Sequence, residues 1–285
     1  MIWLIGNKGM LGMEVEHLLQ EQKLDYVASD REVDITEREC LREFAQDRPL
    51  SWIINCAAYT AVDRAEDEPE LAFRINADGP LHLAGIAQSK NAKLIHLSTD
   101  YVFNGAADAT YAETAPPAPC GVYGASKHRG ERNIAENMAS YFIIRTAWLY
   151  GKNGPNFIYT MLQLFREEAE VRVVVDQWGS PTYAVDLAQV ILRLINADSA
   201  KYGIYHFTNA GRINWYDFAS AIYEMAKEKG LIEKPVQILP IATEQYPTRA
   251  QRPQCSHLSK DKICRNFDIM LKPWQESLAT FLSTL

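Results

Sequence analysis

The start of the chain limits its fold more than any other stretch. Residues Ile2 to Ile5 are apolar, Gly6-Asn7-Lys8-Gly9-Met10-Leu11-Gly12 follow, and an amphipathic segment comes next with Val15, Leu18 and Leu19 on one side. Apolar strand, glycine-rich turn and helix in that order open a doubly wound parallel α/β sheet, a Rossmann-like fold. Gly6 allows the tight turn, Gly9 lets a pyrophosphate approach the backbone, and Gly12 lets the helix pack closely on the strand. The free N–H groups of the helix start then face the anion. The spacing is G-x-x-G-x-x-G rather than G-x-G-x-x-G, so taken alone it also suits a plain tight turn before a packed helix.

Later segments repeat the alternation. A second strand, Asp25 to Ser29, closes on Asp30, eighteen residues past Gly12, where a carboxylate suits the ribose hydroxyls of NAD. Arg31 beside it would suit a 2′-phosphate, which leaves NADH and NADPH both open. Asp34, Ile35 and Thr36 follow near the expected adenine position, with Thr36 and Glu39 at capping-box spacing before a helix over Cys40 to Ala45. The strand Trp52 to Cys56 runs into Ala57, Ala58 and Tyr59, and the two alanines leave room for a flat cofactor. A long helical region then carries Asn76 on an apolar stripe, where a polar residue often only bonds a neighbour. Pro80 should kink this region or restart it. Leu94 to Asp100 is apolar until its end and delivers Thr99, Asp100 and Tyr101 to the carboxyl edge of the sheet, where ligands lie. Thr99 is equally suited to capping a turn. The polar stretch from Ala106 to Cys120, with Pro116, Pro117 and Pro119, leads the chain out and back to Tyr123.

Tyr123 and Lys127 are four residues apart. On a helix that spacing, a rise of ~6 Å and ~400° of rotation, puts both side chains on one face. An ammonium there favours the ionised phenol and should pull its pKa down from ~10 toward neutrality. Such a phenol can protonate a carbonyl oxygen while something else delivers hydride.

Composition excludes other classes. The 285-residue chain has a formal charge of −7 and no Lys/Arg-rich run, which argues against nucleic acid as a partner. No apolar run approaches a membrane span and no signal peptide is evident, so a cytoplasmic protein is expected. Five cysteines and six histidines lack metal-ligand spacing, so no metal is expected and the cysteines read as reduced thiols.

The glycine turn, Thr99 and Tyr123-x-x-x-Lys127 resemble the extended short-chain dehydrogenase/reductases, which act on nucleotide sugars. Narrower segments resemble the dTDP-4-dehydrorhamnose reductase family: Asn55 to Asp63 with Ala65-Glu66, Ser98 to Phe103, Arg145 to Tyr150, Asn156-Phe157 and Gln177 to Thr182. The resemblance implies NADPH- or NADH-dependent reduction of the C4 keto group of a dTDP-linked 4-keto-6-deoxy sugar, dTDP-4-dehydro-β-L-rhamnose. Tyr123 would be the proton donor, Lys127 its partner and Thr99 a hydrogen bond to the carbonyl. It implies cofactor contacts along Gly6, Lys8, Gly9, Met10, Leu11, Gly12, Asp30, Asp34, Ile35, Ala57, Ala58, Tyr59 and Asn76, together with Tyr123 and Lys127. It implies sugar contacts at Thr99, Asp100, Tyr101, Trp148 and Asn156, and Arg249 or Arg252 is suited to a diphosphate. Some family members dimerise through a divalent ion held by glutamates. Glu14 matches one ligand position, but Val185 stands at another with Asp186 adjacent, which leaves monomer or homodimer open. Related proteins include epimerases, reductases of other 4-keto sugars, and a non-catalytic regulatory subunit of methionine adenosyltransferase.

The second half reads as a smaller α/β substrate-binding lobe. Residues 1–150 are expected to bind the dinucleotide, joined by a returning segment at about 183–200, with 151–182 and 201–285 forming the lobe. Helices are expected over Phe157 to Phe165, Asp186 to Ile195, Trp215 to Lys227 and Pro273 to Leu282. Strands are expected over Val171 to Val175 and Tyr202 to Phe207. Pro235 to Pro253, with four prolines, should be irregular chain over the crevice. Trp148 and Trp178 would stand at its edge.

Overall fold

The computed structural model describes residues 1–106 and 110–285; residues 107–109, inside the proline-containing stretch between Ala106 and Cys120, lie outside the described residues. Six strands form one parallel sheet in the order Tyr26–Ser29, Ile2–Ile5, Trp52–Asn55, Lys93–Thr99, Tyr141–Thr146, Gly203–His206. Side chains alternate between the faces of a strand, and both faces here are apolar. Leu4, Ile54, Ile95 and Ile144 meet the helices Met10–Glu21 and Ala184–Ala197 on one side. Ile5, Ile53, Leu94 and Ile143 meet Arg38–Ala45, Gly79–Ser89 and the end of Val122–Asn137 on the other. Truncating any of these fully buried isoleucines to alanine would cost about 2–5 kcal/mol. Strand order reverses between Ile2–Ile5 and Trp52–Asn55, so the crevice for a ligand opens beyond the carboxyl ends of those two strands.

A second core gathers the later chain. Ile158, Phe165, Phe218, Ile222, Trp274 and Phe281 bring together the helices Phe157–Glu167, Trp215–Glu228 and Trp274–Leu282, and the parallel pair Glu170–Val174 with Gln237–Ile241 packs against them.

Three expectations change. Gly203–His206, assigned from sequence to the lobe, is the outer strand of the main sheet beside Tyr141–Thr146, and Ile263 and Phe267 of the helix Asp261–Phe267 join the same core. Periodicity marks a strand but does not say which sheet it completes. Gln237–Ile241 is a strand inside the stretch expected to be irregular; Pro240 is tolerated because a two-stranded sheet has only edges. The Thr36–Glu39 capping box does not form, because the helix starts at Arg38 and Asp34 Oδ1 accepts the Thr36 N–H at 2.8 Å. Pro80 does restart its helix: a π-helical turn, Arg74–Asp78, separates Pro69–Phe73 from Gly79–Ser89, which has Pro80 in its first turn.

Candidate active site

The glycine turn is shaped by contact. Gly6 has φ +76°, and a Cβ there would lie 2.7 Å from the Ala57 nitrogen; a Cβ on Gly12 would lie 2.0 Å from the Gly6 carbonyl oxygen. The helix that follows has Gly9 as its N-cap and no side chain capping it, so its first N–H groups stay available to an anion. This cradle fits the pyrophosphate of a dinucleotide. Lys8 is exposed and pairs with Glu32 at 3.4 Å. Glu32 also accepts the Asp30 N–H at 2.8 Å, which ties the turn to the end of the second strand. Met10 packs toward Gly151 at the lobe boundary. The Leu11 and Ile35 side chains are buried in the two sheet cores, so these residues offer the crevice only their backbone.

Ala57 and Ala58 are half-buried at the end of Trp52–Asn55, beside the turn. Asn76 does not face the crevice freely. Its Oδ1 accepts the Tyr59 N–H at 2.8 Å, and its Nδ2 donates to the Tyr59 carbonyl and to Ser126 Oγ, both at 3.0 Å. It therefore braces the alanine loop against the Tyr–Lys helix. The Tyr59 hydroxyl donates to Glu68 Oε2 at 2.7 Å.

Tyr123 and Lys127 lie in the first turns of Val122–Asn137, where the Val122 N–H donates to Glu66 Oε1 at 2.8 Å. Glu66 was visible only as part of a motif; its function as the carboxylate at this helix start needs the fold. The Tyr123 phenol is near enough to Thr99, at the end of the strand Lys93–Thr99, for the threonine to favour its ionised form. Thr99 Oγ1 donates to Asp100 Oδ1 at 3.1 Å and accepts the Tyr101 N–H at 3.2 Å, and the Tyr101 ring meets the Tyr123 ring edge-on at 5.5 Å. The structure thus brings Thr99, Asp100, Tyr101, Tyr123 and Lys127 together at one strand end.

The electrostatics differ from expectation. Burial raises the Tyr123 phenol above its ordinary value, the Thr99 hydroxyl opposes this, and Asp100 and Tyr101 add to it. Lys127 does not pull the phenol down in this arrangement. Its ammonium is 2 % exposed and donates to the Leu97 carbonyl at 2.6 Å. Burial lowers the Lys127 pKa to about 8 against the attraction of Glu131 and Cys56. Spacing on a helix places two residues on one face but does not say which acceptor a flexible ammonium takes. Burial likewise lifts the Asp100 carboxyl to about 6. Beneath them, burial would raise Glu131, yet Arg145 (2.7 Å), His128 and Ser98 hold it down to about 2.

The lobe supplies the remaining wall. Trp148 has φ +48°, rare for a bulky residue and worth roughly 1–3 kcal/mol of strain. Its ring stacks on Trp215 at 3.6 Å and its carbonyl accepts the Thr182 N–H at 3.2 Å. Trp215 had no sequence signal beyond its place on an apolar helix. Trp178 is half-buried, with the Arg212 guanidinium 5.1 Å from its ring. Asn156 is a helix cap: its Oδ1 accepts the Ile158 and Tyr159 N–H groups at 3.1 and 3.3 Å and its Nδ2 donates to the Gly151 carbonyl at 2.9 Å. Asn156, expected as a sugar contact, stands here as the cap of this helix. Arg249 pairs with Asp67 on the surface, both more than half exposed, whereas Arg252 reaches the Tyr101 hydroxyl at 3.3 Å. Arg252, not Arg249, is therefore the arginine at the site. It also borders a cleft of about 350 Å³ formed with Asp176, Thr243 and Tyr246. Asp186, adjacent to the family's ion-ligand position, accepts from Lys272 at 2.8 Å and from Ser277 at 2.5 Å.

The family model described as RmlD substrate binding domain matches residues 1–285. A dTDP-4-dehydrorhamnose reductase of Aggregatibacter actinomycetemcomitans is 39% identical over 279 residues, which cover 96% of this chain and 95% of that protein. One from Escherichia coli K12 is 37% identical, covering 100% and 97%. The crystal structure of dTDP-4-dehydrorhamnose reductase from Bacillus anthracis in complex with NADP superposes with a TM-score of 0.93 at 39% identity, covering 100% of this chain and 99% of that one. Matched from end to end in sequence and in fold, the chain belongs to the RmlD substrate binding domain family.

Proposed function

We propose that this protein reduces the C4 keto group of dTDP-4-dehydro-β-L-rhamnose to give dTDP-L-rhamnose, using NADPH or NADH. The observation that carries the reading is the gathering of Thr99, Tyr101 and Tyr123 at the carboxyl end of the strand Lys93–Thr99, with the buried Lys127 on the same helix as Tyr123. Relatives named for this reaction, and one crystallised with NADP, support the choice of substrate and cofactor.

The residues of the turn fit a nicotinamide dinucleotide: the uncapped helix start at Gly9 to Leu11 would hold the pyrophosphate, and Asp30 would meet the adenosine ribose. When bound, the reduced nicotinamide supplies hydride to the C4 carbon. Tyr123, kept protonated at neutral pH by its burial, gives its proton to the C4 oxygen as that oxygen becomes an alcohol. Thr99 orients the phenol and hydrogen-bonds the same oxygen. Lys127 is held by the Leu97 carbonyl, and the transfer runs downhill because the alkoxide forming at C4 is more basic than the phenolate left behind. Ala57 and Ala58 keep the floor flat, and Trp148 on Trp215 presents an apolar wall to the sugar. We place the nucleotide toward the cleft beside Arg252, between the sheet layer and the lobe.

The test is spectrophotometric. Purified protein with dTDP-4-keto-6-deoxy-L-mannose should oxidise added NADPH or NADH stoichiometrically. Retention of tightly bound NAD, with no net oxidation, would instead indicate an epimerase.

A further inference from the structure

We infer that Asp63 and Arg252 are positioning residues for the proton donor, setting the pose of Tyr123 by holding the Tyr101 ring against it. The inference rests on the reductase reading and goes beyond the Thr99, Tyr123 and Lys127 set. Arg252 belongs to the irregular strap that follows residue 245, while Asp63 lies in the short helix Val62–Ala65 of the sheet layer. The Arg252 guanidinium meets Asp63 Oδ2 at 2.5 Å and donates to the Tyr101 hydroxyl at 3.3 Å, and it lies 5.9 Å from the Tyr101 ring centre. The other Asp63 oxygen accepts the Ala250 N–H at 3.0 Å, so one carboxylate holds both the strap and its arginine. Tyr101 passes the constraint on: its ring packs edge-on against Tyr123 at 5.5 Å and its N–H donates to Thr99 at 3.2 Å.

The arrangement asks for the chemistry it has. A planar fork can serve a carboxylate and a phenol at once, which a lysine ammonium does less well. The Arg252 side chain is 19% exposed and that of Asp63 46%, so the pair is partly screened at its carboxylate. The neighbouring pair Arg249–Asp67 is 66% and 54% exposed, and such pairs contribute little. A phenol freed from Arg252 lets the Tyr101 ring rotate away and loosens one wall of the donor site. Misplacing a catalytic group by about 1 Å can cost on the order of 100-fold.

Asp63→Asn should lower kcat by about 10- to 100-fold with KM and cofactor affinity near wild type, and Arg252→Gln should lower kcat by a similar factor with cofactor affinity near wild type. Tyr101→Phe removes the oxygen that Arg252 holds, so adding Arg252→Gln to it should cost less than about twofold more. Losses that multiply in the double variant would overturn the inference. Hydrogen exchange gives a readout that needs no turnover: Arg252→Gln should speed exchange at Thr99–Phe103 as well as in the strap, and Asp67→Asn should do so at neither. Faster exchange confined to the strap, or an equal effect of Asp67→Asn on Thr99–Phe103, would also overturn it. If Arg252→Gln folds poorly, Asp63→Asn, which keeps the side-chain shape, decides by the same measurements. Should wild type reduce no nucleotide sugar, the reductase reading falls while the exchange data still decide the Arg252–Tyr101 coupling.

Discussion

The two ends of the cleft are built by different means. At the glycine-turn end the shape comes from backbone packed on backbone, Gly12 against Gly6 and Gly6 against Ala57, with no room for a Cβ at either glycine. At the strap end it comes from side chains that meet across the fold, Asp63 and Arg252 being 189 residues apart. The first kind tolerates loss of charge but not of space. The second tolerates small changes of shape but not the loss of a donor or acceptor.

The largest expected effect lies where the two ends meet. Tyr123→Phe should lower turnover by about 10²–10⁴-fold, the usual range for a positioned acid, while dinucleotide affinity measured by fluorescence titration stays within about threefold. Full turnover would remove Tyr123 from the reaction. Next, Gly12→Ala should weaken dinucleotide binding by at least about tenfold and lower Tm. The new Cβ would sit 2.0 Å from the Gly6 oxygen, and relieving that overlap costs about 1–3 kcal/mol. An unchanged dissociation constant would break the comparison at its steric end.

A pH profile probes the buried charge between the two ends. The folded Lys127 pKa is depressed to about 8. Its ammonium is therefore present below that pH and lost as pH rises through it, so kcat should fall on an alkaline limb near pH 8. Stability moves the other way. The unfolded chain holds this proton up to the ordinary lysine value, so the cost of burying the charge is full below about 8 and is relieved as pH climbs toward about 10.5. Lys127→Met should erase that part of the stability profile, which denaturant titrations at several pH values would show. The smallest effect belongs to the helix cap. Asn156→Ala should cost about 1 kcal/mol in denaturant unfolding and leave KM unchanged, and a raised KM would restore Asn156 as a sugar contact.

What was legible in the sequence follows the same division. The glycine turn, the alternation of strands and helices, and the joint placement of Thr99, Tyr123 and Lys127 are local signals, and the structure brings them together. The acceptor chosen by Lys127 was not legible, because Leu97 reaches it only through the register of strand against helix. Asn156 looked like a contact because it stands in a family segment; its bonds to Ile158 and Tyr159 show that the segment shapes a helix start. Arg249 and Arg252 were indistinguishable until Asp63 selected one of them. The restarted helix at Pro80 was legible, but the π-helical turn that aims Asn76 at Tyr59 and Ser126 was not.

The outer strand has a consequence for the order of assembly. Gly203–His206 covers Tyr141–Thr146, whose other side is already paired with Lys93–Thr99. A chain still leaving the ribosome with only its first 150 residues therefore carries a bare, apolar strand flank, open to pairing with a neighbouring nascent chain. It becomes safe only after roughly fifty further residues emerge. Translation pauses or truncations in that interval should be where aggregation begins.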